Sequence, residues 1–365
     1  MNSLVRPAKA LMATAVLAAG LLAGTTAPAG AFHDTTEVLL SGLSSPKGLA
    51  LAPNGELLVG QGALGPPGPI LLHDPETSTT EEITEPFNVV DVAAGNGQGW
   101  ALTGGGEPGQ EGAATLYRFD GTGTLTPVVD IAAYQATDPD PFDLEEFPED
   151  SNPYGLGSLP NGDALVVDAA NNDLLRVTPA GDITTVARFD VELVKTDHLP
   201  REFGLPPRIP AEAVPTSVSV ASDGSIFVGE LKGFPFRPGS SRIWRIAPGA
   251  EGATCSVSTP DPACRTAARG FTSIQDIVVD LPNRALYVYE LAEGGVLALE
   301  AGFETGEFPP AVLLKVTGAG ERTELAPGEL SQAGGLVVDG DDVYVTDGLF
   351  FGGRLLEVAN TSPAP

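Results

Sequence analysis

Histidine is almost missing from this chain: His33, His73 and His198 are the only three in 365 residues. No Gly-x-Ser-x-Gly elbow accompanies any of them, so a Ser-His-Asp hydrolase site has no support. Quinone-dependent sugar oxidation, which needs His and Arg at a channel, loses support for the same reason. Cations are scarce too, with 19 Lys and Arg against 48 Asp and Glu and a formal net charge of −29. Such a surface repels phosphate backbones and anionic lipid heads, which excludes nucleic acid as a partner and electrostatic docking to membranes. Cys255 and Cys264 are the only cysteines. Two thiols without a neighbouring His do not complete a zinc site, and in an exported chain a disulfide is the simplest outcome, ahead of a metal pair or free thiols. Gly104-Gly105-Gly106 lacks the Lys-Ser/Thr and helix of a phosphate-binding loop.

Long apolar runs are confined to the start. Arg6 and Lys9 precede an almost wholly apolar stretch from Ala10 to Gly24, and Ala29-Gly30-Ala31 is a small-x-small cleavage site. The run falls short of the roughly 20 residues that span a bilayer. These features predict a signal peptide over residues 1–31 cleaved after Ala31, a secreted product, and no membrane insertion after cleavage. The removed segment holds two basic and no acidic residues, so the net charge becomes −31.

What the chain has in quantity is turns, with 45 Gly and 33 Pro, and one repeated pattern. Gly48 to Val59 aligns without gaps on Gly155 to Val166, each an alternating apolar run, an Asn-Gly turn and a second apolar run. Weaker copies run from Asp91, Ser217, Asp276 and Gly335, around Asn96-Gly97, Asp223-Gly224, Pro282-Asn283 and Gly340-Asp341. Asn-Gly and Asp-Gly are expected to supply the positive φ angles of tight hairpins. A third strand follows each hairpin and a fourth follows five of them; the sixth copy stops after Arg354–Val358. Thr36–Leu43, ahead of the first copy, supplies the missing strand. The prediction is an all-β, six-bladed β-propeller over residues 32–358, with the N-terminal strand closing the last blade, little helix and a short tail at 359–365. Three insertions, 138–150, 190–213 and 291–310, fall between strands, where repeat proteins place binding loops.

Copies three to six carry a family resemblance. Ser151-Asn-Pro-Tyr-Gly-Leu156, Val167 to Val177, Val214 to Ser217 and, most distinctively, Val228-Gly-Glu-Leu-Lys-Gly-Phe-Pro-Phe236 running into Arg242–Ile246 resemble the ScyD/ScyE family, exported bacterial proteins similar to NHL-type propellers. Phe271 to Asp276 and Leu286 to Glu290 fit as well. The resemblance covers residues 40 to 358 and is poorest in copy two, where Trp100-Ala-Leu-Thr replaces the usual strand. It implies the fold and export, and brings no settled reaction.

Two columns of positions emerge from the six copies. Gln61, Gly104, Asp168, Glu230, Glu290 and Asp347 lie just past the second strand. They form either a cation-facing ring or, more simply, a set of local turn ties. At the channel end of the innermost strands stand Lys47, Val90, Tyr154, Thr216, Gln275 and Gly334, each followed by a small residue or by Asp91 or Asp276. The candidate ligand-binding residues of the channel and top face are therefore Asn88, Asp91, Asn152, Tyr154, Thr216, Glu230, Phe234, Phe236, Gln275, Asp276 and Glu290, with Asp91 and Asp276 the candidate metal ligands. Two functions compete. One is a non-catalytic, monomeric binding or scaffold module for a small molecule, glycan or extracellular protein. The other is a calcium-dependent gluconolactonase-like hydrolase with its metal at the channel.

Overall fold

The structure is a computed structural model that describes residues 35–95, 99–120 and 123–360. The expected signal segment, the Asn96-Gly97 turn and the last five residues lie outside the described residues. The chain is nearly all β: six antiparallel sheets follow one another, each with its first strand innermost and the next three stepping outward. The innermost strands are Leu49–Leu51, Asp91–Ala94, Pro153–Ser158, Pro215–Val220, Ile274–Asp280 and Ala333–Asp339 in blades 1 to 6. Each packs against the next, and the sixth returns to the first, so the ring is closed.

The period-2 alternation of the repeats has one energetic purpose, which is to give each blade two apolar faces. There is no single core; there are six layers, one between each pair of neighbouring blades. The layer that closes the ring joins Leu49, Leu57 and Val59 of blade 1 to Val337, Tyr344 and Leu355 of blade 6. Thr36–Leu43 is the outer strand of blade 6, pairing antiparallel with Gly353–Val358 from Thr36 opposite Val358 to Leu43 opposite Gly353. Its Leu39, Leu40 and Leu43 extend the closing layer. The first and last described strands are thus tied into one sheet, which closes the ring.

The hairpin turns differ in detail from expectation. In Pro53-Asn54-Gly55 and Pro160-Asn161-Gly162 only the glycine is left-handed, with φ of 88° and 93°. The amide of Gly55 reaches the Ala52 carbonyl at 3.0 Å, and that of Gly162 reaches Leu159 at 2.9 Å. These are three-residue loops closed by a left-handed glycine, not two-residue turns with two positive φ angles. In blade 2, Trp100 sits in a regular strand, Gly99–Leu102, and is buried against blade 3.

The insertions are ordered. Residues 190–213 form a hairpin of Glu192–Lys195 and Arg208–Ala211. Residues 291–310 carry the helix Val296–Thr305. A fifth strand, Ala253–Cys255, joins the outer edge of blade 3 in parallel, although its chain belongs to blade 4. Cys255 is disulfide-bonded to Cys264, the first residue of blade 4's outer strand, with Cα atoms 5.2 Å apart. The bond fixes the loop that straddles two blades, and disulfides of this kind persist in oxidising compartments. Closing a loop of this size stabilises by about 2.5 kcal/mol in the chain-entropy account. Urea titration of the Cys255→Ser, Cys264→Ser variant is expected to show a loss of that order, and unchanged stability would mean the strand alone holds the loop. Among the described residues no helix is long and apolar enough to cross a membrane.

Candidate functional site

The column past the second strands is a set of ties. Each side chain reaches back to the segment that enters its own blade. Gln61 Oε1 accepts from the Ser44 amide at 2.8 Å, Asp168 Oδ1 from Asn152 at 2.7 Å, Glu290 Oε1 from Thr272 at 2.8 Å and Asp347 Oδ2 from Ser331 at 2.8 Å. The partners lie 16 to 18 residues upstream every time. Asp168 also accepts from the Ala170 and Asn171 amides and from Ser151 Oγ. The column therefore repeats because the fold needs it, and its carboxylates are turned into the blades. Gly104 contributes no side chain, but the adjacent Gly105 amide donates to Asn152 Oδ1 at 3.1 Å.

Glu230 departs from that pattern. Expected at a ligand-facing rim, it is fully buried, and both oxygens are engaged. Lys232 Nζ lies 2.9 Å and Arg242 Nε 3.2 Å from Oε1, while Trp244 Nε1 donates to Oε2 at 3.0 Å. Glu192, from the inserted hairpin, pairs with the same Lys232 and Arg242. The segment that carried the family resemblance is thus a buried ion-pair node that docks the hairpin on blade 4. Phe236 is buried and Phe234 partly so, their rings edge-to-face at 6.0 Å. Both join an apolar cluster with Leu231, Leu291, Ala292, Val296, Leu299 and Leu349, drawn from blades 4, 5 and 6. The helix Val296–Thr305 packs on this cluster through Val296 and Leu299.

The channel column does converge. Lys47, 2% exposed, sits 3.3 Å from Asp91 Oδ2 and 4.5 Å from the centre of the Tyr154 ring. Gln275 donates to the Tyr154 hydroxyl at 3.0 Å. Asp91 also accepts from the amides of Val92 and of Leu156 in blade 3 at 2.9 Å. Three blades on, Asp276 accepts from Ile277 and from Leu336 in blade 6, both at 2.8 Å. The two aspartates are stitches between consecutive blades, related by a local twofold of the ring. Their electrostatics differ because Lys47 is beside only one. Burial pushes the Asp91 carboxyl up and Lys47 holds it back. For Asp276, burial and then repulsion by Asp91 raise it to about 7. Burial alone depresses Lys47, but Asp91, Tyr154 and Asp276 outweigh it and raise the ammonium above its ordinary value.

Below this polar floor runs a cavity of about 320 Å³ lined by residues of all six inner strands. It shares Leu51, Ser158 and Val220 with a wider depression among the hairpin turns at the opposite face. Asp91 and Asp276 face it; Thr216 does not, its hydroxyl donating to the Ile274 carbonyl at 2.7 Å. Asn88 donates to the Gly62 and Gly65 carbonyls. Among the described residues no group of three or more His, Cys, Asp or Glu is gathered as metal ligands. Lys47, Lys232 and Glu192 were missed as partners. Lys47 stands in the channel column, but no sequence signal ties it to a position one blade away.

No family model matches the chain, and no curated protein does. Solved structures do. A putative oxidoreductase (glucose dehydrogenase) from Thermus thermophilus is 17% identical, covering 88% of this chain and 99% of its own, with a TM-score of 0.52. A gluconolactonase from Xanthomonas campestris is 13% identical over 89% of each chain, TM-score 0.52. Regucalcin, a calcium-binding protein from Agrobacterium tumefaciens, is 13% identical over 89% and 95%, TM-score 0.52. At these identities the likeness is one of fold, and the chain is a six-bladed β-propeller of the kind these proteins share.

Proposed function

We propose that the chain is an exported, monomeric propeller, similar to the ScyD/ScyE proteins, that binds a small molecule, glycan or extracellular protein without chemistry of its own. One observation carries the reading: the polar groups best placed for catalysis are spent on the scaffold. Asp91 and Asp276 each accept two backbone amides, Asn88 and Asn152 hold loop backbone, and Glu230 is enclosed by Lys232, Arg242 and Trp244. A hydrolytic calcium site needs several oxygens converging with free lone pairs on one point. Here each oxygen of the Asp91 and Asp276 carboxylates already accepts from a backbone amide, so an ion would have to share them.

The competing reading is a calcium-dependent gluconolactonase-like hydrolase, which the likeness to gluconolactonase and regucalcin keeps in view. Calcium titration of the protein while following its melting temperature separates the two. An ion bound to the native state at 100 times its dissociation constant adds about 2.7 kcal/mol, a shift of several degrees. The expected result is an unchanged melt in millimolar calcium and in chelator. A chelator-reversible rise, abolished by Asp276→Asn, overturns the proposal.

A further inference from the structure

The helix in the blade 5 insertion carries its charge against its own stability. Val296–Thr305 starts at Gly295 with no side-chain cap, no acidic residue in its first turn and no basic residue in its last. Its charged side chains are Glu300 and Glu304, one turn apart, so like charges oppose each other. Glu304 also stands at the carboxyl end, where the helix macrodipole is already negative. Glu293 and Glu307 flank the helix, and residues 291–310 include no Lys, Arg or His. Among the described residues none of these four carboxylates has an ion-pair partner. Burial and then Glu304 push the Glu300 carboxyl up.

Beside these charges lies an exposed aromatic patch. Phe303 packs edge-to-face on Phe308 and Phe350 at 5.0 and 5.4 Å, and Phe351 leans on Phe303 and Phe308 at 6.1 and 5.5 Å. Phe303 and Phe351 remain 38% and 49% exposed. Local rules broken together at one place mark a site whose compensation comes from elsewhere.

We propose that the helix Val296–Thr305 and the Phe303 and Phe351 rings form a docking surface for a basic polypeptide segment, whose Arg or Lys groups pair with Glu300 and Glu304 while its apolar side chains cover the rings. The inference rests on the reading of the chain as a binding module and names the partner's chemistry. One ligand type relieves all the conflicts at once: it neutralises the repelling pair, complements the macrodipole and removes the exposed apolar area from water. A second copy of this chain brings the same acidic surface at a net charge of −29 and is repelled, as is an anionic bilayer.

The test uses the full chain and three synthetic peptides of equal length: alternating Arg and Leu, alternating Arg and Ser, and alternating Glu and Leu. Anisotropy titrations at low and high salt should show the Arg-Leu peptide binding at least about tenfold tighter than the Arg-Ser peptide, and the Glu-Leu peptide not binding. Phe351→Ala lies on a surface loop and should remove most of that preference. Glu300→Gln with Glu304→Gln should weaken Arg-Leu binding at low salt, roughly threefold per charge, while raising the melting temperature of the free protein. Equal binding of both Arg peptides, or binding untouched by Phe351→Ala and by the double Gln variant, overturns the proposal, since it would reflect overall acidity alone. Patch-dependent self-association or binding to neutral vesicles also overturns it. Calcium-dependent stabilisation would sink the non-catalytic reading and leave these peptide titrations unaffected, so the two failures are distinguishable.

Discussion

Lys232→Met should lower the unfolding free energy by about 3–5 kcal/mol, the range for removing one partner of a buried ion pair. The reason lies in what remains. Glu230 is fully enclosed, and with Lys232 gone its Oε1 keeps only Arg242 Nε, from a guanidinium whose Nη2 pairs with Glu192. One guanidinium would then serve two carboxylates, one of them fully buried. Methionine matches the aliphatic stem of lysine, so lost volume contributes little. Glu192→Gln is the control: Glu192 is 26% exposed, and its removal should cost about 1 kcal/mol or less. Removing both buried partners, Glu230→Gln with Lys232→Met, should recover part of the loss, because it takes away the stranded charge as well as its partner. Urea titrations of the four proteins decide the matter, and a Lys232→Met cost below that of Glu192→Gln would show that Lys232 is no anchor of the node.

The same node shows where the sequence was readable and where it was not. Periodicity and turns are local, and they placed the strands well. The position of Thr36–Leu43 ahead of the first copy assigns it to the last blade, and it pairs there from Thr36 to Leu43 with register shifts at Leu39 and Gly42. The third strand expected at Arg354–Val358 is Gly353–Val358, one residue longer. Side-chain destination is not local. Glu230 occupies the level of Asp168 and Asp347, yet an insertion 38 residues upstream in the chain delivers Glu192 beside it, and nothing in the alternating pattern announces that meeting. The Val228 to Phe236 segment stands out in the sequence but its burial does not, because burial depends on what packs over a loop. The helix over the cluster was hidden for a related reason. Gly294, Gly295 and Gly302 weaken any helical signal in the insertion 291–310, whereas Val296 and Leu299 are buried against blades 4 and 6. Tertiary burial overrode a weak local preference.

Two enclosed carboxyls set the pH response of the ring. Asp276 and Glu290 are each raised to about 7, Asp276 by burial and Asp91, Glu290 by burial against the opposing Thr272 amide. A carboxyl whose value is higher folded than unfolded binds its proton more tightly in the native state. Unfolding therefore releases protons between the ordinary carboxylate value and about 7, and stability falls as pH rises across that window. Each group contributes at most about 1.4 kcal/mol per pH unit there, and water in the channel reduces the Asp276 share. Repulsion across the acidic surface pushes the same way, whereas Asp74, Asp197, Asp223 and Asp261 are held below their ordinary value by hydrogen bonds and lose that contribution only as pH falls below this window. The chain should thus be most stable in mildly acid solution and lose several kcal/mol by neutrality. Glu290→Gln isolates one contribution cleanly, because the amide carbonyl can still accept from Thr272, so the stability-pH slope should flatten with little change at acid pH. Asp276→Asn should flatten it further but lower stability throughout, since one of its two backbone donors then faces an amide NH₂. If chemical denaturation at a series of pH values showed stability rising from about pH 5 to about pH 7.5, the enclosed carboxyls would have to be ionised at little cost, and the stitches from Asp91 to Leu156 and from Asp276 to Leu336 would carry full charge in the native ring.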